Sequence, residues 1–144
     1  MSSDPISEAY QQLTQGLYDD WLDAEERRRL IERLYADRLG RVVYVAAGGG
    51  SRLSDWLLSV PGASSTILET LVPYSSRAMT AFIGEPSPYS VVSAEHCRLM
   101  LAAAFNRACK YSTGEALSQP VGLVVTAALA TNRERRGVDH AFVG

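Results

Sequence analysis

The chain has 144 residues, of which 47% are hydrophobic and 21% charged, and its net charge is -2. That length suits one domain with a sizeable buried core and is short for two, and the composition is that of a globular rather than a disordered chain. The balance of charge gives no concentrated basic surface for a nucleic-acid partner, although Arg dominates the basic residues and Lys110 is the single Lys.

Residues Met1 to Asp20 hold no charged segment followed by an apolar run, so no secretory signal is expected. No stretch reaches the roughly 20 apolar residues that cross a bilayer. Cys97 and Cys109 lie in one expected helix, where 12 residues put their Cα atoms about 18 Å apart, too far for a disulfide. Free thiols and no signal fit a reducing compartment. A cytoplasmic protein without a membrane partner is the expectation.

In chain order, Ser7 to Asp37 reads as helical, with Leu13, Leu17, Trp21, Leu22, Leu30, Leu34 and Tyr35 at roughly helical spacing. Asp23-Ala-Glu-Glu has the form of a capping box, so two helices are expected to meet near Leu22. Gly40 is expected to end the second. Val42 to Val45 is a short β-rich run of the kind found in buried parallel strands. Gly48, Gly49 and Gly50 follow, and then a helix from Arg52 to Ser59, broken by Val60-Pro-Gly. Strand, glycine turn and helix form the βα unit of an open α/β sheet, with the helix N-terminus offering free N–H groups to an anion.

Ser65 to Tyr74 is the second strand candidate, and Arg77 to Ile83 a short helix ending at Gly84. Ser93 is the expected N-cap of a long helix reaching Tyr111, rich in Ala and Leu. Gly122 to Ala130 reads as a third strand, and Ala141-Phe-Val as the start of a fourth. Helices alternating with apolar strands predict a three-layer α/β/α sandwich around a mostly parallel sheet.

The motifs from Val43 to Met79 resemble those of the CinA C-terminal domain, the nicotinamide-nucleotide amidase family. That family carries a strand, a Glu-Ser-Cys-Thr-Gly-Gly turn, a helix, Val-Pro-Gly-(small)-Ser, a strand, and Thr-Tyr-Ser-Asn-(x)-(x)-Lys. Here Val60-Pro-Gly-Ala-Ser and Val72-Pro-Tyr-Ser-Ser-Arg-Ala-Met match in order without a gap. Val92-Ser-Ala-Glu, Leu123-Val-Val-Thr-Ala and Arg136-Gly-Val-Asp-His-Ala-Phe-Val extend the likeness over about 100 residues, from Val42 to Gly144. The resemblance divides the chain into an N-terminal helical segment, 1–40, and a CinA-like α/β domain, 41–144, together one compact unit. It also implies a C-terminal helix beyond the last strand, which the sequence does not carry. A piece of a longer protein, or a variant whose N-terminal helices cover that sheet face, would each account for this.

Carried over position by position, the family's nucleophilic Ser falls on Ala47, the Glu before it on Ala46, and its base, a Lys, on Met79. A Ser–Lys mechanism needs a hydroxyl to attack the amide carbon and a neutral amine to take its proton. Neither Ala47 nor Met79 supplies these, and Lys110 lies in another helix. The implied reading is a hydrolase-like pseudoenzyme without the amidase reaction.

The candidate ligand-binding residues are Gly48, Gly49, Gly50 and Ser51, whose turn either cradles a phosphate or simply joins strand to helix with Ser51 as N-cap. The resemblance adds Tyr74 and Ser75 as pocket lining, where a half-buried packing tyrosine is the alternative. Thr126 ends an apolar strand at the carboxyl edge of the sheet, where open α/β folds bind ligands, or bonds only to backbone. Arg136, with Arg133 and Arg135, forms a basic turn suited to phosphate or carboxylate, or a solvated loop. Ser51 is the candidate for a replacement nucleophile, if a positioned base exists. His96 and His140 have no metal-ligand spacing, and no metal or cofactor is expected.

Three readings follow: a domain that binds a phosphate-bearing molecule of the pyridine-nucleotide class, an active nicotinamide-nucleotide amidohydrolase with changed apparatus, or a non-enzymatic oligomerisation or regulatory module. The resemblance implies a homo-oligomer in each case.

Overall fold

Asp23 opens the first helix of the computed structural model, which describes residues 23–38, 40–114, 119–129 and 139–144. The Asp23 carboxylate accepts from the Glu26 N–H at 2.8 Å, and the Glu26 carboxylate from the Asp23 N–H at 3.1 Å. This reciprocal pair is the expected capping box. Helix α1 runs Ala24–Ala36; the segment before Asp23, where another helix is expected, lies outside the described residues.

The helix does not run to Gly40. It ends at Ala36, and Arg38 takes the left-handed conformation, φ 49°, usually left to glycine. Gly40 serves the sheet instead: a Cβ there would stand 2.6 Å from the Gln119 carbonyl oxygen. The backbone leading into β1 and the residue preceding β3 approach too closely for a side chain.

Strand β1, Arg41–Ala47, is the central element. It is followed by α2, Arg52–Ser59, a 3-10 turn at Ala63–Ser65, and β2, Ile67–Leu71. Then come α3, Ser76–Ile83, α4, Ala94–Tyr111, β3, Pro120–Ala128, and β4, His140–Val143. The sheet order is β2-β1-β3-β4, with β1 parallel to both neighbours and β4 antiparallel to β3. Strand β2 is shorter than the sequence suggests. The 3-10 turn holds its start, and Pro73, which has no N–H to donate, follows shortly after its end. Strand β3 begins two residues earlier than expected, with proline at its first position.

Both faces of β1 are covered, which is why Val43 through Ala47 are all buried. Val43, Val45 and Ala47 point into a core with Met79 of α3, Cys97, Met100, Ala104 and Ala108 of α4, and Val124 of β3. On the opposite face Ile31 and Tyr35 of α1 meet Leu57, Val60 and Ile67, with Val42 and Trp56 packed around them. Helices on both faces of a mostly parallel sheet are the expected α/β/α sandwich. Helix α4 lies very close to β3, since a Cβ on Gly122 would stand 2.8 Å from the Phe105 amide nitrogen. Across the sheet edge, Arg107 of α4 holds Glu69 of β2 through two hydrogen bonds of 2.7 and 2.6 Å. Cys97 and Cys109 are free thiols.

Candidate functional site

The turn from Gly48 to Ser51 leaves the carboxyl end of β1 and enters α2. Each glycine answers a packing demand. Gly48 has φ 77°, and a Cβ on it would stand 2.0 Å from the Ala127 carbonyl oxygen. At Gly49 a Cβ would come within 2.8 Å of Leu129 Cδ1 and 2.9 Å of Ala127 Cβ. At Gly50, φ 90°, it would stand 2.8 Å from the Tyr44 hydroxyl. The three glycines therefore let the turn press against the end of β3 and the tip of Tyr44.

Ser51 stands at the N-cap position but makes no side-chain capping bond. Its backbone is already helical, φ -59° and ψ -28°, whereas a capping side chain reaches the next turn's N–H groups from an extended backbone. The hydroxyl is thus exposed and uncommitted at the head of α2. Beside it lies a small cleft of ≈ 100 Å³, bounded by Ala46, Gly48, Gly49, Ser51, Val72 and Tyr74.

The structure brings Gly48, Gly49, Ser51 and Tyr74 together around this cleft. Tyr74 is 88% exposed, so it stands at the rim and is not packed as a half-buried strand end. Ser75 is nearby in sequence but its hydroxyl caps α3, accepting from the Ala78 N–H at 3.1 Å. Thr126 is fully buried and donates to the Val91 carbonyl at 2.7 Å, the backbone-bonded alternative foreseen for it. Arg133, Arg135 and Arg136 lie outside the described residues. Ala46 borders the cleft, whereas Ala47 and Met79 both belong to the core between the sheet and α3/α4.

Neither histidine borders the cleft. His96 is buried in the first turn of α4, its Nδ1 2.8 Å from the Ser87 hydroxyl, and burial pushes its pKa down. His140 is exposed on β4 and meets the Phe142 ring edge-on. Among the described residues no group of three or more His, Cys, Asp or Glu side chains could hold a metal ion. No described helix is long and apolar enough to cross a membrane.

Tyr44 is the residue that the sequence reading missed. Its ring is fully buried in β1, and its hydroxyl donates to the Gly50 carbonyl at 2.7 Å. The signal available was a polar-tipped aromatic within a valine run, six residues before the last glycine. Val72, which also borders the cleft, carries no chemistry that sequence alone would single out.

The architecture defines an open α/β sheet whose carboxyl edge offers a glycine turn and a shallow cleft. Comparison with solved structures gives that architecture a more particular form, the CinA-superfamily fold. The chain is similar to a CinA superfamily protein from Enterobacter cloacae, with TM-score 0.59 and 15% identity over 88% of this chain and 80% of that one. The competence damage-inducible protein A from Klebsiella pneumoniae gives TM-score 0.58 and 13% identity over 83% and 80%. A CinA superfamily protein from Escherichia coli gives TM-score 0.54 and 16% identity over 82% and 73%. No family model matches the sequence, and no curated protein matches it. The CinA-like fold expected from the motifs is therefore the fold of this chain.

Proposed function

We propose that this CinA-like domain binds a phosphate-bearing small molecule of the pyridine-nucleotide class at the β1–α2 turn, without amidase chemistry. The observation that carries the reading is the head of α2. The Ser51 hydroxyl is free of any capping duty and opens on a cleft walled by Tyr74. A helix N-terminus favours anions through its unpaired N–H groups and dipole, and a serine hydroxyl can add a hydrogen bond to a phosphate oxygen. The cleft has room for a phosphate group, with the remainder of a nucleotide lying along the exposed Tyr74 face. Alanine at 47 and methionine at 79 supply neither nucleophile nor base, which supports binding without hydrolysis. Ser51 as a replacement nucleophile would need a base, and among the described residues no His, Lys, Asp or Glu side chain borders the cleft, where Tyr74 is the ionisable neighbour of Ser51.

A thermal-shift titration with nicotinamide mononucleotide, nicotinate mononucleotide, ADP-ribose and inorganic phosphate tests this reading. A ligand present at 100 times its dissociation constant stabilises the fold by about 2.7 kcal/mol. Stabilisation by the nucleotides is the expected result, and no shift with any of the four ligands would overturn it.

A second reading, an oligomerisation or regulatory module, has its own support in the exposed Val72, Leu129 and Val143. Apolar surface of this kind favours association. A cytoplasmic homo-oligomer is compatible with either reading, and sedimentation of the whole chain over a range of concentrations tests the association.

A further inference from the structure

Tyr44 lies beneath the glycine turn, and none of the CinA motifs assigns it a role. It is fully buried, and its one hydroxyl is directed at one backbone atom, the Gly50 carbonyl oxygen, 2.7 Å away. The same oxygen accepts the Leu53 N–H at 3.0 Å, the first hydrogen bond of the α2 turn. Two donors therefore fix the direction of this carbonyl. A trans peptide is planar, with its N–H opposite its C=O. Holding the Gly50 carbonyl toward Tyr44 consequently aims the Ser51 N–H away from the strand, out of the head of the helix.

The geometry is narrowly specified. Gly50 has φ 90°, and a Cβ at this position would meet the Tyr44 oxygen at 2.8 Å and Val125 at 3.0 Å, so the turn needs glycine here. Burial pushes the Tyr44 pKa up, so the phenol keeps the proton that it donates. The Ser54 hydroxyl is buried without a partner among the described residues. A helical serine commonly donates to the carbonyl four residues back, and here that carbonyl is already taken by Tyr44 and Leu53.

We infer that Tyr44 is a positioning residue for the anion site: its hydroxyl locks the Gly50–Ser51 peptide so that the Ser51 N–H and hydroxyl stand ready at the cleft. This rests on the binding reading proposed above. Tyr44 touches no ligand; it acts through the backbone that does.

The test is ¹⁵N-resolved titration of the wild type and Tyr44→Phe with inorganic phosphate and with nicotinamide mononucleotide, together with the melting temperature of each. Tyr44→Phe keeps the buried ring and removes only the donor. In the wild type the Ser51 amide resonance should move saturably with ligand. In Tyr44→Phe, at a temperature where both proteins are folded, the dissociation constant should rise by about three- to tenfold, the effect of one net hydrogen bond. The Ser51 resonance of the free variant should also be displaced. A purely structural role would lower the melting temperature and leave the dissociation constant unchanged, which would overturn the inference. A wild type whose Ser51 resonance ignores both ligands would overturn the binding reading and this role with it. Binding retained equally by both proteins would overturn only the role of Tyr44.

Discussion

Ala47, at the end of β1, and Met79, in α3, are parts of one buried cluster, 4% and 6% exposed. These are the positions on which the motif resemblance places a nucleophile and its base. Here both side chains are apolar and pack with Val45 and Met100 rather than facing solvent. Met79→Lys would bury an amine without a described partner, and a buried lysine either loses its proton or destabilises the fold. We expect Met79→Lys to cost about 3 kcal/mol in chemical denaturation. A loss below about 0.5 kcal/mol would show that position 79 opens to water.

Gly48→Ala tests the turn itself. The new Cβ would meet the Ala127 carbonyl at 2.0 Å in a conformation, φ 77°, that side chains rarely adopt. Left-handed strain adds about 1–2 kcal/mol, and the clash adds to it. A loss of at least 2 kcal/mol is expected, read from the denaturation midpoint at constant slope. A variant as stable as the wild type would contradict the described turn.

Acid should weaken the fold through His96. Its folded pKa lies below the ordinary value because burial penalises the charged ring. The unfolded chain therefore binds more protons than the native one once pH falls below about 6.5. Stability is unaffected by His96 above that value, and is lost progressively as pH falls toward the depressed folded pKa. His96→Gln should flatten this slope below about pH 6.5, measured as unfolding free energy against pH. An unchanged slope would place the titration elsewhere.

Arg107 braces the edge strand. Its guanidinium grips Glu69 with two bonds and accompanies the Tyr111 hydroxyl at 3.0 Å. The pair is about one-third and one-quarter exposed, so solvent screens it and Arg107→Ala should cost only about 1 kcal/mol. The loss should shrink in high salt. A salt-independent loss would point to packing of the arginine stem instead.

Much of this fold was legible because local chemistry and tertiary demand agreed. The helix from Arg52 to Ser59 lies between a glycine turn and Val60-Pro-Gly, and both signals act within a few residues. The capping box at Asp23 and the N-cap at Ser93 are likewise local. Gly40 misled because its glycine answers a neighbour nearly 80 residues away, the Gln119 carbonyl, rather than its own helix. The candidate site was legible only in outline. Its glycines announce a turn, but that Ser51 leaves its capping duty undone depends on backbone angles, and that Tyr44 reaches Gly50 depends on the strand's pairing. The hydroxyls of Ser75 and Thr126 look equally available in sequence; in the folded chain the first caps α3 and the second bonds to Val91.

The central claim, binding without amide cleavage, is tested most directly by calorimetric titration of the whole chain with nicotinamide mononucleotide, followed by measurement of ammonia in the same sample. The account predicts saturable heat and no ammonia above the protein-free control. Ammonia released in proportion to protein, and abolished by Ser51→Ala, would contradict it.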